Sequence, residues 1–270
     1  MQKKILFLDL DGTLLNDQHE ISAGNLDALN RALAAGHQVV VTTGRPLISG
    51  LEQGKRLGLD RDGCYLIAYN GGIIYDYNTR KSIFERTIPT DRAIAIIRLC
   101  RTLGIYAQSY ADDAVVVEPD CDNTTLRDYC DRILMPFRVI SCYDTDLTSP
   151  PPKVLAIGTR DTLEKLREKL SVFDETVDYF FSTESLLEIV PKGVSKGEAV
   201  KWMCEKTGIP RENAIAVGDE QNDMSMIVAA GVGVAMANGI PSVKAAADYI
   251  TLHDNNHDGV AEVIEKFMLS

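Results

Sequence analysis

A chain of 270 residues, 45% hydrophobic and 25% charged with 7% aromatic side chains, carries ample material for a core; it is not disordered, collagenous or a disulfide scaffold. The formal net charge of −11 excludes a broadly basic surface, and with it nucleic acid or an anionic membrane as the expected partner, because such partners are held by displacing counterions. The same acidity requires a bound cation or buried lysines wherever an anionic substrate is handled.

In chain order, Ile5-Leu8 reads as a buried strand, Ser22 caps a helix running to about Ala35 where Gly36 stops it, and Val39-Val41 is the next strand. His37, in that helix-to-strand turn, is expected to be exposed. The β-α-β alternation implies an α/β fold, a parallel sheet with helices on both faces. Between about Phe84 and Ser185 the texture changes. Helix Asp91-Leu103, paired strands Ile105-Tyr110 and Ala114-Glu118, helix Thr124-Leu134, strand Val154-Thr159, helix Thr162-Leu170 and strand Val177-Ser182 predict an inserted α+β module. Ser149-Pro150-Pro151-Pro152 reads as a stiff loop inside that module rather than a boundary. The first rhythm then returns with helix Lys196-Lys206, strand Ala214-Val217, a helix from Asn222 and strand Val232-Ala235. The predicted domains are 1-83 with 186-270 as a discontinuous core, and 84-185 as the insert.

Cys64, Cys100, Cys121, Cys130, Cys142 and Cys204 form no C-x-x-C pair, which predicts reduced thiols. No apolar run approaches the roughly 18 to 20 residues of a membrane span, and no signal segment precedes the first strand. The expected location is the cytoplasm.

Four strand ends carry the chemistry. In Asp9-Leu10-Asp11-Gly12-Thr13-Leu14, residues i and i+2 of an extended chain point the same way, so both carboxylates face one spot at the carboxyl edge of the sheet. Two such charges repel by about 4 kcal/mol at an effective dielectric near 20, which a divalent cation relieves. Asp9 can then be an ionised nucleophile while Asp11 exchanges a proton with the leaving group. The competing reading is a plain Asp-Gly turn. Thr42-Thr43-Gly44-Arg45, also at a strand end, offers a hydroxyl and backbone N–H groups to phosphoryl oxygens, although Thr is common there for its β propensity alone.

Lys196, in Gly193-Val194-Ser195-Lys196-Gly197, starts a helix, where a cation opposes the dipole unless an anion shares the site. Lys192 is the nearby alternative and reads as a solvated loop charge. Gly218-Asp219-Glu220-Gln221-Asn222-Asp223 supplies hard oxygen ligands of the type Mg²⁺ takes, or else a helix cap. Together the four segments match what metal-assisted phosphoryl transfer needs.

Asp9-Leu10-Asp11-Gly12-Thr13, Thr43-Gly44-Arg45, Lys196-Gly197 and Gly218-Asp219-Glu220-Gln221-Asn222-Asp223 resemble, in order, the four motifs of the haloacid dehalogenase superfamily. The insert between the second and third motifs, with Asn70-Gly71-Gly72, is similar to the Cof-type sugar phosphatase branch. The resemblance implies a Rossmann-like three-layer core with a parallel sheet and an inserted α+β cap domain that decides substrate choice. It implies a phosphatase of small phosphorylated metabolites in which Asp9 becomes an aspartyl phosphate and Asp11 is acid, then base. Mg²⁺ would be held by Asp9, the Asp11 backbone carbonyl and Asp219. Thr43, Gly44 and Lys196 would hold the phosphoryl group with the Leu10 backbone N–H and Asn222, and Asp223 would act through water or orient Lys196.

Other residues read as bystanders. His253 and His257 stand at i, i+4, but Asp, Asn and Gly around them make a loop, so the spacing does not build a metal site. Arg45 reads as fixing its own loop, and Trp202 and Met203 as core. In the insert, Tyr110, Asp112, Asp113 and Glu118 are either sugar-hydroxyl ligands or a solvated hairpin. The competing functions are a phosphomutase or phosphotransferase, passing the phosphoryl group to a sugar hydroxyl, and a phospho-acceptor module, in which a second carboxylate such as Asp11 would have no use.

Overall fold

The computed structural model describes residues 2–111, 114–119 and 123–270. They form two compact units, one of Met1–Gly44, Gly50–Phe84 and Ser195–Ser270, the other of Arg45–Ser49 and Glu85–Val194.

The chain begins with β1 (Ile5–Leu8), buried at every position, as a parallel strand covered on both faces must be. Then α1 (Ala23–Ala34) starts at Ser22, whose Oγ accepts the Asn25 N–H, and ends before Gly36, at φ 85°. It is followed by β2 (Gln38–Thr42), α2 (Leu47–Arg56), β3 (Cys64–Ala68), β4 (Ile73–Asp76) and β5 (Lys81–Glu85).

The second unit contains α3 (Thr90–Thr102), β6 (Tyr106–Tyr110), β7 (Val115–Val117), α4 (Asn123–Ile133), β8 (Phe137–Val139), α5 (Tyr143–Asp146), β9 (Val154–Ile157), α6 (Arg160–Leu170), β10 (Val177–Thr183) and β11 (Leu186–Pro191). Its sheet runs β10-β11-β9-β6-β7-β8, antiparallel except for the parallel β7–β8 pair. Ile96, Ile97 and Cys100 of α3 and Leu163, Leu166 and Leu170 of α6 share one core with Val154, Ala156 and Ile189 of the sheet. The Pro150-Pro151-Pro152 loop belongs to this unit, where the Pro151 carbonyl accepts the Ile88 N–H at 2.8 Å.

The chain returns to the first unit as α7 (Lys196–Thr207), β12 (Ala214–Gly218), α8 (Met224–Ala229), β13 (Val232–Ala235), α9 (Pro241–Ala246), β14 (Tyr249–Ile250) and α10 (Gly259–Phe267). The sheet order is β14-β13-β12-β1-β2-β3-β4-β5. Ile5 and Phe7 pack with Val200 and Met203 of α7 and Met226 of α8. Strand alternation sends Leu6 and Leu8 to the other face, where α1 packs on α10, giving three layers. Successive strands leave β1 in opposite directions, through β2 on one side and β12 on the other. That reversal opens a crevice outside the carboxyl ends of β1 and β12.

Three expectations need correction. The sheet is not parallel throughout: β4 runs antiparallel to β3, because a turn with positive φ at Tyr69, Asn70 and Gly71 reverses the chain. The helix expected from Asn222 begins as a 3₁₀ turn, Gln221–Asp223, with α8 following. His37 is buried, not exposed: its Nδ1 accepts the Lys4 N–H at 3.1 Å and its Nε2 lies 3.0 Å from the Met268 carbonyl oxygen. The residue closes the β1 edge against the C-terminal segment, which a turn-based reading could not foresee.

Candidate active site

The strand ends β1 and β12 place Asp9 and Asp219 side by side in the crevice. The Asp9 N–H donates to the Val217 carbonyl at 3.1 Å, which fixes its position at the sheet edge. Asp219 is 7% exposed and accepts the Thr13 hydroxyl at 2.7 Å. Gly12, at φ 79°, lets the chain turn beneath it; a Cβ there would stand 2.4 Å from Asp219 Oδ2.

Lys196, 1% exposed, opens α7 behind its N-cap Ser195, and its Nζ donates to Asp9 Oδ1 and to Asp223 Oδ1, both at 2.5 Å. The other oxygen of Asp223 accepts the backbone N–H groups of Asp219 at 2.9 Å and Glu220 at 3.1 Å. Asp223 thus has its oxygens committed to orienting Lys196 and to closing the capping box of the 3₁₀ turn.

Asp9, Asp219 and Asp223 each bring a carboxylate oxygen within 4.8 Å of the others. Burial pushes the Asp9 carboxyl well above its usual range, helped by Asp223 and opposed by Lys196. Burial, then Asp223, pushes Asp219 up to about 7. Burial alone would lower the Lys196 pKa, but Asp223 and Asp9 raise it, so its ammonium stays charged. Three carboxyl groups around one ammonium would, if all were ionised, leave an excess of two negative charges in a buried site, which is why the Asp9 and Asp219 carboxyls are held toward their protonated forms. That excess and the all-oxygen donor set fit a hard divalent cation.

Asp11 is exposed at the rim of this cluster, near enough for its charge to help raise the Asp9 carboxyl. Its side chain is 47% exposed and lies 3.8 Å from the His19 ring. Leu10 is buried, and its carbonyl accepts the Leu15 N–H at 2.9 Å. Thr43 is buried at the end of β2 and donates its N–H to the Ile67 carbonyl at 2.8 Å. Gly44 follows, close against the Asn70 side chain, and Asn222 Nδ2 donates to Asn70 Oδ1 at 3.3 Å.

The sequence reading passed over Thr13, Asn70 and Asn238 as partners. Asn238 Nδ2 donates to the Gly12 carbonyl at 2.7 Å, steadying the turn. Thr13 and Asn70 stand inside quoted motifs, so a signal existed; Asn238 carried none, being brought in by the fold.

The bystander readings meet mixed outcomes. Lys192 is an exposed charge paired with Asp178 at 2.7 Å. His253 and His257 pair with Glu262 and Asp254 at 2.8 and 2.6 Å. Met203 is core and Trp202 packs against it. Tyr110 belongs to the β6–β7 hairpin but is not solvated: it is 1% exposed and bonded to Gln108 and Tyr129. Glu118 binds the Tyr143 N–H and Arg101. Asp112, Asp113 and Cys121 lie outside the described residues. Among the described residues Cys64, Cys100, Cys130, Cys142 and Cys204 are unpaired thiols, and no helix is long and apolar enough to cross a membrane.

This fold and this carboxylate-lysine cluster coincide with a recognised family: the chain belongs to the haloacid dehalogenase-like hydrolases, whose family model matches residues 6–264. It is 30% identical to pyridoxal phosphate phosphatase YbhA of Escherichia coli over 100% of both chains. It is 31% identical to the 5-amino-6-(5-phospho-D-ribitylamino)uracil phosphatase YcsE of Bacillus subtilis, over 98% of this chain and 96% of that one. A solved haloacid dehalogenase-like hydrolase from Bacteroides thetaiotaomicron shares the fold with a TM-score of 0.88 and 34% identity, covering 98% of this chain and 99% of that one.

Proposed function

We propose that this protein is a Mg²⁺-dependent phosphatase that hydrolyses small phosphomonoesters through an aspartyl phosphate on Asp9. The carrying observation is the buried cluster of Asp9, Asp219 and Asp223 around Lys196, three carboxyl groups against a single ammonium. The two phosphatase relatives, which act on pyridoxal phosphate and on a phosphoribitylamino-uracil, support a leaving group that is a small metabolite alcohol.

The carboxylates of Asp9 and Asp219, with the Asp11 backbone carbonyl, would hold Mg²⁺, which when bound supplies positive charge to the phosphoryl oxygens. An Asp9 carboxylate oxygen attacks phosphorus. The P–O bond to the metabolite breaks, and its oxygen leaves with a proton from Asp11. Asp11, now a carboxylate, takes a proton from water as that water attacks the aspartyl phosphate, releasing orthophosphate and restoring both residues. The exposure of Asp11 suits this exchange. Lys196, held by Asp223, sets a fixed positive charge against the transferring group, while Thr43, Gly44, Asn222 and the Leu10 N–H bind its oxygens. We assign substrate choice to the inserted segment, residues 84-185.

The test is phosphate release from a panel of phosphorylated sugars, pyridoxal phosphate and flavin mononucleotide, with Mg²⁺ or chelator, beside Asp9→Asn. Release that needs the metal and vanishes in the variant is expected. Release unaffected by chelation or by the variant would sink the proposal, and phosphate passed to an added alcohol without free orthophosphate would replace hydrolysis by transfer.

A further inference from the structure

Asn70 combines three features that its surroundings do not require. It adopts φ 56°, a left-handed conformation that glycine takes at lower cost, and the two residues after it are already glycines. Its side chain is 1% exposed. Its Nδ2 finds no hydrogen-bond acceptor among the described residues, and a buried orphan donor in a native fold calls for an explanation.

The placement supplies one. The Asn70 N–H donates to the Thr43 carbonyl at 3.0 Å, tying the turn to the loop after β2. At Gly44 a Cβ would come within 3.1 Å of both the Nδ2 and the Oδ1 of Asn70, so the glycine leaves room beside the amide. Asn222 donates to Oδ1, which fixes the orientation of the amide and leaves Nδ2 as the group with a proton to give. Gly71, at φ 111°, fits against the carbonyl of Ser195, the residue before Lys196; a Cβ there would lie 2.5 Å from that oxygen. The turn is thus wedged among three loops that carry Thr43 and Gly44, Lys196, and Asn222. An unmet buried donor kept at such a place points to a ligand that meets it.

We propose that Asn70 is a phosphoryl-binding residue, its Nδ2 donating to a non-bridging oxygen of the bound phosphomonoester. This rests on the phosphatase reading above. Asn70 would join the loops of Gly44 and Asn222 into one anion cradle, with Oδ1 holding Asn222 and Nδ2 holding the anion.

The experiment is a double-mutant cycle on Asn70→Ala and Asn222→Ala, reading the inhibition constant of orthophosphate against p-nitrophenyl phosphate hydrolysis in Mg²⁺. The shift of the thermal midpoint by orthophosphate gives a second reading. Asn70→Gly, which removes the side chain and relieves the backbone, is run in parallel and read the same way should the alanine variant fold poorly. Losing a hydrogen bond to a charged group weakens orthophosphate by roughly tenfold or more. A loss of that size, still several-fold in the Asn222→Ala background, with the phosphate-free midpoint held or raised in Asn70→Gly, is the expected result. Orthophosphate affinity within about twofold of wild type overturns the inference. So does a loss that disappears once Asn222 is alanine, since Asn70 would then only position Asn222. A wild-type chain that neither releases phosphate nor binds orthophosphate overturns the phosphatase reading and this inference with it, whereas a failure confined to the Asn70 variants leaves the phosphatase reading standing.

Discussion

Among the described residues two lysines lie buried, one in each unit, and their surroundings differ in charge balance. Lys153, 1% exposed, donates to Glu188 Oε2 at 2.7 Å, while Glu188 Oε1 accepts the Ser182 hydroxyl at 3.1 Å. One cation meets one anion, and the Tyr110 ring, 5.0 Å from Nζ, adds to the cation's shelter. Lys196 instead faces two carboxylates directly, with a third, Asp219, behind them. The first arrangement is closed and needs nothing more. The second leaves Asp9 and Asp219 far from their ordinary proton affinities, and a protein keeps such a group when something else arrives to balance it. A buried lysine therefore says little by itself, and the count of carboxylates around it says much.

The hardest blow to that contrast is Asp9→Asn. Turnover should fall by roughly four to six orders of magnitude, as expected for a lost nucleophile. Because the change also removes one of three mutually repelling carboxylates, the metal-free protein should unfold at the same or a higher temperature. Phosphate release and thermal unfolding of the same sample check both halves. Retained turnover would remove Asp9 from its assigned role, and a large loss of stability would show that its charge was balanced after all.

The converse experiment falls on the other lysine. Lys153→Met strands Glu188 as a buried charge and should cost about 3–5 kcal/mol. Replacing both partners, Lys153→Met with Glu188→Leu, should recover most of it, since an apolar pair of similar volume stands in well for a buried ion pair. Denaturant melts of the two variants measure the difference. A single variant as stable as wild type would show that this pair is not the closed unit its geometry suggests.

A smaller effect follows from the raised carboxyls. A group whose folded pKa lies above its unfolded value stabilises fully below the unfolded pKa, and that contribution fades as pH rises through the folded one. For Asp219 the window runs from about 4 to about 7. The metal-free protein should therefore lose stability across that window, and Mg²⁺ should restore it most at the alkaline end, where its ligands are deprotonated. A hundredfold excess of Mg²⁺ over its dissociation constant is worth about 2.7 kcal/mol. Thermal midpoints with Mg²⁺ and with chelator across pH measure this; a metal effect that does not grow with pH would count against the cluster as the metal site.

Much of the site was legible because it is written in consecutive residues at strand ends. Ile5–Leu8, all apolar, can only be a covered strand, and the acidic residues right after it can only sit at its carboxyl edge. Ser22 and Gly36 bounded α1 because capping is local chemistry. Antiparallel β4 was missed although Asn70-Gly71, a pair that tolerates positive φ, marks a turn between two apolar runs; only the positive φ at Tyr69 is not written in its residue type. Tyr110 looked like a solvated hairpin residue because Asp112 and Asp113 follow it; its burial comes from Tyr129, 19 positions on, and from Gln108 beside it on the same sheet face. Asn238 reaches Gly12 across 226 positions, a distance that no local pattern reports.

His37 carries the same lesson and the smallest prediction. Its place after Gly36 in a helix-to-strand turn suggested exposure, yet the ring bridges Lys4, just before β1, to Met268, just after α10. Burial lowers its pKa, partly opposed by its bond to the Met268 carbonyl, and Lys4 adds to the lowering. Protonation would also destroy the acceptor that Nδ1 offers to Lys4. The sign is opposite to that of the buried Asp9 and Asp219 carboxyls: the contribution of neutral His37 is present above the unfolded pKa of about 6.5 and lost as pH falls through the lowered folded value. His37→Leu should cost on the order of 1 kcal/mol near neutral pH by stranding its two partners, or roughly 2–4 °C in a chain of this size. In saturating Mg²⁺, which suppresses the carboxyl contribution, wild type should weaken as pH drops below about 6 while the variant changes less. The gap between the two unfolding curves should narrow toward acid pH, and a gap that stays constant from neutral to acid would mean the His37 ring holds the termini by shape alone.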